Sequence, residues 1–168
     1  HDELTDLPNR SMFMESLQRS LGKAQRKGSH VSLMFIDMDR FKDVNDTLGH
    51  AIGDDLLRAV AMRLVETVRD SDLVARLGGD EFVVLVDDHE NQADVAMVAE
   101  NLLHALARPY RLGQREVSLT ASIGISTWPS NGIDMATLVK NADIAMYQAK
   151  ESGRNNFQFY AAALDTLS

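Results

Sequence analysis

Residues 73–77 and 80–86 are two short, largely apolar runs with Gly78-Gly79 between them, and nothing else in the chain limits the fold as much. Glycine takes positive φ without steric cost, so two glycines between strand-like runs read as the tight loop of an antiparallel hairpin. A chain carrying such a hairpin is excluded from the purely parallel sheet folds. Asp80 and Glu81 follow the glycines at once, so the hairpin tip presents carboxylates.

Helical and strand patterns intermix around it. Phe13, Leu17, Leu21 and Ala24 recur at helical spacing behind Asn9 or Ser11 as a cap, and Gly28 offers a stop, which predicts a helix ending near Lys27. Residues 31–37 are mostly apolar and partly β-branched, the pattern of a buried strand that leaves the sheet in acidic residues. A short helical piece falls between Arg40 and Leu48, and Leu56, Leu57, Val60, Leu64 and Val68 predict a long helix over residues 51–69. Residues 91–107 form a third long helical pattern, broken by Pro109. Residues 110–112 and 116–127 read as strands around Gly113-Gln114, residues 135–151 as a last helix with Gly153 near its end, and residues 157–160 as a final short strand. The expected fold class is α+β, a mixed and mainly antiparallel central sheet flanked by helices. A single domain is expected over residues 1–168, with residues 161–168 starting a linker to a following element.

Composition narrows the function classes. With 168 residues, 45% of them hydrophobic, the chain buries a core without staples, and with no cysteine it has neither a disulfide framework nor a thiolate metal site, which points to a reducing compartment, the cytosol. A formal charge of −8 argues against a broad basic surface for nucleic acid, so phosphate must be met locally. No apolar run has transmembrane length, and no membrane contact by this domain is expected. The chain opens on His1 rather than Met, which suggests a fragment of a longer protein.

The candidate chemistry lies in the acids. Asp37 and Asp39 stand two apart at a strand exit and face one side if the extended backbone persists, while Asp80 and Glu81 mark the hairpin tip. Hard cations such as Mg²⁺ take one or two carboxylates and complete their shell with water and substrate phosphate, so two strand ends brought side by side would make a site. Acidic residues also mark ordinary turns, and Asp87-Asp88 reads as no more than that. The glycines set Asp80-Glu81 apart, because a tip without side chains lets a ligand approach the backbone closely.

The segment Arg76-Leu77-Gly78-Gly79-Asp80-Glu81-Phe82 resembles the signature of the GGDEF family of diguanylate cyclase domains. Other blocks agree in order and spacing. Asp2-x-Leu4-Thr5-x-Leu7-Pro8-Asn9-Arg10 is similar to the family's opening block, and Asp37 to Asp46 followed by Gly49-His50-Ala51-Ile52-Gly53-Asp54 resembles its nucleotide-binding segment. Ser122 to Ile125, and Ala142 to Lys150 continuing to Gly153-Arg154-Asn155, resemble its late blocks.

The resemblance implies a nucleotide-cyclase or polymerase-palm architecture and the condensation of two GTP molecules into cyclic di-GMP and two pyrophosphates. It implies Mg²⁺, with Mn²⁺ as a substitute, two ions per half-site, held by Asp37, Asp80, Glu81 and the carbonyl of Met38. Asp80, Glu81 and Lys42 would carry the catalytic roles. Asn45 and Asp54 would read guanine; Phe41, Lys42, Gly78, Gly79, Lys150 and Arg154 would line the substrate site, the last two sharing the end of one helix. Arg69 and Asp72, an Arg-x-x-Asp just before the glycines, resemble the family's inhibitory site for cyclic di-GMP. The resemblance further implies a homodimer for catalysis, slow and weakly associating in isolation, with attached sensor or phosphodiesterase domains in the full-length protein. Two alternatives remain beside this reading: a non-catalytic GTP-binding module that regulates an attached phosphodiesterase, and a cyclic di-GMP receptor working through Arg69 and Asp72 alone. His50 reads as structural, and Arg76 is left open between phosphate and a nearby carboxylate. Asp6 stands where the family commonly has glycine, and Met38 where Ile or Leu is usual.

Overall fold

A computed structural model describes residues 1–161. In chain order its elements are α1 (Arg10–Lys27), β1 (His30–Met38), α2 (Phe41–Leu48), α3 (His50–Thr67), β2 (Leu73–Gly78), β3 (Glu81–His89), α4 (Gln92–Ala107), β4 (Tyr110–Leu112), β5 (Arg115–Val117), β6 (Ala121–Trp128), α5 (Met135–Glu151) and β7 (Asn156–Phe159). Five strands form one sheet in the order β2-β3-β1-β6-β7, and β4 pairs with β5 separately. All pairings in the large sheet are antiparallel except β6 with β7, which makes it the mixed, mainly antiparallel sheet that the hairpin requires.

β1 is central and apolar on both sides because helices cover both. Met34, Ile36 and Met38 face α3 and α4, where Leu56, Val60, Leu64, Val95, Leu102 and Leu106 complete one core. Val31, Leu33 and Phe35 face α1 and α5, where Phe13, Leu17, Leu138, Ala142 and Met146 complete the other. Period-two alternation extends the second face to the strand end, so Asp37 falls on the α1 and α5 side. The register places Glu81 of β3 and Ser122 of β6 directly opposite Asp37.

Local chemistry sets the element ends. Asn9, rather than Ser11, caps α1 by accepting the N–H of Met12 at 3.0 Å, and Gly28 closes the helix at φ 75°. Asn91 and Asp134 cap α4 and α5 in the same way. At Gly124 a Cβ would stand 1.9 Å from the backbone nitrogen of Met146 and 2.3 Å from the carbonyl of Ala142, so only glycine lets α5 lie this close on β6.

Two expectations are corrected. The tight loop is Gly79-Asp80, not Gly78-Gly79: Gly78 still pairs with Glu81, after an irregularity beyond Arg76, so the glycine pair straddles the strand end and Asp80 itself sits in the turn. The expected strand over residues 116–127 is two strands, because Val117 and Leu119 bury on the α3 and α4 side while the pairing partner changes from β4 to β1. The break is fixed by Asp39, whose N–H donates to the Thr120 carbonyl at 2.8 Å. Asp6 has φ 62°, which explains a position where glycine is common, since aspartate is among the few residues that tolerate it. Of the expected linker, residues 162–168 lie outside the described residues.

Candidate active site

The end of β1 and the tip of the β2–β3 hairpin meet. Asp37 is buried, and it lies near enough to Asp80 in the turn to perturb its carboxyl. When both are ionised neither has a proton to offer, and Asp37 Oδ1 is then a buried acceptor without a partner. Its other oxygen, Oδ2, takes the ammonium of Lys150 from the last turn of α5.

The electrostatics follow from this crowding. Burial, then the hydrogen bond and charge of Asp37, push the Asp80 carboxyl up to about 7 against the weaker pull of Lys150. Glu81 is raised by burial and by the fields of Asp37 and Asp143, with Arg10 and Lys150 opposing. Burial works against the charge on Lys150, but Asp37, Asp80 and Asp39 outweigh it and hold the ammonium on more firmly than usual. A cleft edge with three carboxylates and one lysine is short of positive charge. Among the described residues no three acidic or histidine side chains are already gathered as a finished metal site. The donor set nonetheless fits a divalent cation that shares its ligands with phosphate: hard oxygen donors, among them the buried Asp37 Oδ1 without a hydrogen-bond partner, and a neighbouring carboxyl pushed up by burial and by Asp37.

Asp39 does not join Asp37 at this centre. Its carboxylate accepts from Thr120 Oγ1 at 2.6 Å, Ser122 Oγ at 2.7 Å and the N–H of Asn155 at 3.2 Å. It thereby ties the exit of β1 to β6 and to the turn bearing Arg154, which is exposed beyond the end of α5 at φ 62° and so does not share that helix with Lys150 as expected. Arg76 pairs with Asp2 at 2.9 Å and donates to the Gly79 carbonyl at 2.8 and 3.0 Å, so the residue left open between phosphate and carboxylate is held by the hairpin tip and the opening turn. Asp87 and Asp88, expected to mark a turn, lie instead within β3, where they pair with Lys23 and Lys27.

The other expected substrate residues lie on the opposite layer, at the corner of α2 and α3. Phe41 opens α2 and is buried; Lys42 follows it, exposed, in the first turn. Asn45 packs against Gly53, and Asp54 is exposed on α3 next to it. Arg69 and Asp72 sit together in the α3–β2 connection, with Arg69 Nη2 3.1 Å from Asp72 Oδ1. Two residues that the sequence reading did not single out, Arg10 and Asp143, act on Glu81 through their charge. Asp143 was detectable in principle, since it is seven residues before Lys150 and so shares its face of α5.

A family model described as "Diguanylate cyclase, GGDEF domain" matches residues 1–156. The chain belongs to the GGDEF family. Among curated relatives of this GGDEF domain is the bifunctional diguanylate cyclase/cyclic di-GMP phosphodiesterase MucR of Pseudomonas aeruginosa, 44% identical over 165 residues, covering 98% of this chain and 24% of MucR. The diguanylate cyclase TpbB of Pseudomonas aeruginosa is 45% identical over 157 residues, covering 93% of this chain and 36% of TpbB. The solved GGDEF domain of TpbB superposes with a TM-score of 0.95 at 42% identity, covering 99% of this chain and 98% of that one. DgcB of Caulobacter crescentus, solved as coiled coil and GGDEF domain in complex with c-di-GMP, gives 0.84 at 29% identity, covering 94% of this chain and 84% of that one. The GGDEF domain described here thus spans about a quarter to a third of the curated relatives it matches.

Proposed function

We propose that this chain condenses two GTP molecules into cyclic di-GMP with release of two pyrophosphates. The observation that carries the reading is the meeting of Asp37 and Asp80 at the strand end, where Asp37 Oδ1 is buried without a hydrogen-bond partner and Asp80 is pushed up by burial and by Asp37. Asp37, Asp80, Glu81 and the Met38 carbonyl would hold Mg²⁺ or Mn²⁺, two ions per half-site. Bound there, the ions neutralise charge on the α-phosphate and make the 3′-hydroxyl more acidic. The protein's own residues bind and orient. Lys150, already drawn to Asp37, supplies a cation at the triphosphate, and Arg154 in the turn beyond α5 and Lys42 in the first turn of α2 would supply two more. Ionised Asp80 is a candidate acceptor for the proton of the attacking hydroxyl. Asn45 and Asp54 suit guanine, whose N1–H and amine a carboxylate accepts and whose carbonyl an amide donates to.

One half-site presents one nucleotide, so ring closure needs two copies face to face, and the functional form is a homodimer. Arg69 and Asp72 would take the product's phosphate and guanine edges and so restrain output. Sensor or phosphodiesterase domains would be attached in the full-length protein. Incubation with GTP and Mg²⁺ followed by product analysis tests the reading: cyclic di-GMP should form, with activity per molecule rising with protein concentration. Asp37→Ala and Asp80→Ala should abolish it while leaving the circular dichroism spectrum intact. Full activity in either variant would refute the assignment.

A further inference from the structure

Gly49 alone joins α2 to α3, so the two helices turn tightly against each other and Asn45 comes to rest on Gly53. A Cβ at Gly53 would stand 1.8 Å from Asn45 Oδ1 and 2.9 Å from its Cγ, with Phe41 Cζ at 3.5 Å. Gly53 lies inside α3, buried, at no turn and with no positive φ, so backbone freedom is not the reason for a glycine there. Glycine inside a helix weakens it, and the only thing this one provides is room. The room is taken by one side chain. The amide of Asn45 makes no hydrogen bond among the described residues, although its backbone carbonyl accepts from Gly49. Its place is therefore set by packing, and its donor and acceptor are left free for a ligand. Asp54 is the next residue after Gly53 and is exposed on the same turn of α3.

We infer that Gly53 is a specificity-determining positioning residue: it seats Asn45 beside Asp54 so that the two together select guanine. The inference rests on the proposed reading of Asn45 and Asp54. Any side chain at position 53 meets first the far end of Asn45, which is flexible, rather than backbone, so Gly53→Ala moves the amide and leaves the helices in place.

The test measures binding of 3′-deoxy-GTP, which lacks the attacking hydroxyl, to the whole chain in Mg²⁺ by calorimetry, with inorganic tripolyphosphate and 3′-deoxy-ATP as comparison ligands. Gly53→Ala should weaken 3′-deoxy-GTP about tenfold or more, as the loss of a base-directed polar contact does, and narrow its margin over 3′-deoxy-ATP. Affinity for tripolyphosphate should stay within about twofold, and adding Asn45→Ala to Gly53→Ala should cost less than about a further twofold, because both changes remove the same contact. The Tm should hold or rise, since alanine is the better helix former. If Asn45→Ala weakens 3′-deoxy-GTP and Gly53→Ala does not, the inference falls and the guanine reading stands. If Asn45→Ala itself has no effect, the guanine reading falls and takes the inference with it. A Gly53→Ala chain that no longer melts cooperatively, that binds tripolyphosphate as poorly as nucleotide, or whose loss multiplies with that of Asn45→Ala, also overturns it.

Discussion

Replacing Asp80 by asparagine should stabilise the nucleotide-free protein, by a gain that grows from about pH 4 and is complete above about pH 7. The folded state holds the Asp80 carboxyl at about 7 against an ordinary 3.8, first through burial and then through Asp37. The sign follows from proton binding. Below about pH 4 the carboxyl is protonated in both folded and unfolded chains and carries no penalty. As pH rises toward 7 the folded chain keeps a proton that the unfolded chain has released, so stability falls, and above 7 the full cost of two neighbouring carboxylates stands. Fully realised, the shift would be worth about 4 kcal/mol. Asp80 is half-buried at a turn, and water screens it, so about 1–2 kcal/mol is the working figure. An asparagine in its place keeps the shape, loses the charge and offers its amide to Asp37 Oδ1. Thermal unfolding in chelator should therefore show D80N melting about 3–6 °C above the parent at pH 8 and level with it at pH 4.5. An equal gain at both pH values, or a loss at pH 8, would refute the account of strain between the two acids.

Two further changes test the frame around the site. Gly124→Ala drives a methyl into the backbone of α5 at Met146 and Ala142, and should destabilise by about 3 kcal/mol or more in urea unfolding, since neither backbone can step aside; a cost under about 1 kcal/mol would mean that α5 is not seated as described. Asp39→Ala strands two hydroxyls and the N–H of Asn155 and should cost about 2–4 kcal/mol, with hydrogen exchange accelerated at residues 153–156 in particular; unchanged exchange there would show that Asp39 does not hold that turn.

Much of this was legible before any coordinates. The helices over α1, α4 and α5 have a regular apolar period and side-chain caps at Asn9, Asn91 and Asp134, so their limits follow from local rules. β1 was legible for a different reason: a run buried on both faces is apolar almost throughout, and its first acid marks where the apolar run ends, although Asp37 itself stays buried. The turn at Gly79-Asp80 was misplaced by one residue because two adjacent glycines satisfy either register, and the choice is made by pairing across to Glu81. The break at residues 118–120 was invisible because it depends on Asp39, far away in sequence. The same limit applies to the site. Asp37, Asp80, Glu81 and Lys150 carry signatures in their own neighbourhoods, whereas the placing of Arg10 and Asp143 by Glu81, and of Gly53 under Asn45, exists only after the layers pack.

Arg76 gives the opening residues a mechanical part. Its guanidinium grips Asp2 on one side and the Gly79 carbonyl on the other, and its own N–H reaches the Pro8 carbonyl at 3.0 Å. The first turn and the lip that carries Asp80 are thus coupled as a lever is to its load. A displacement of that turn would reach the carboxylates through this one residue, along the rim of the sheet.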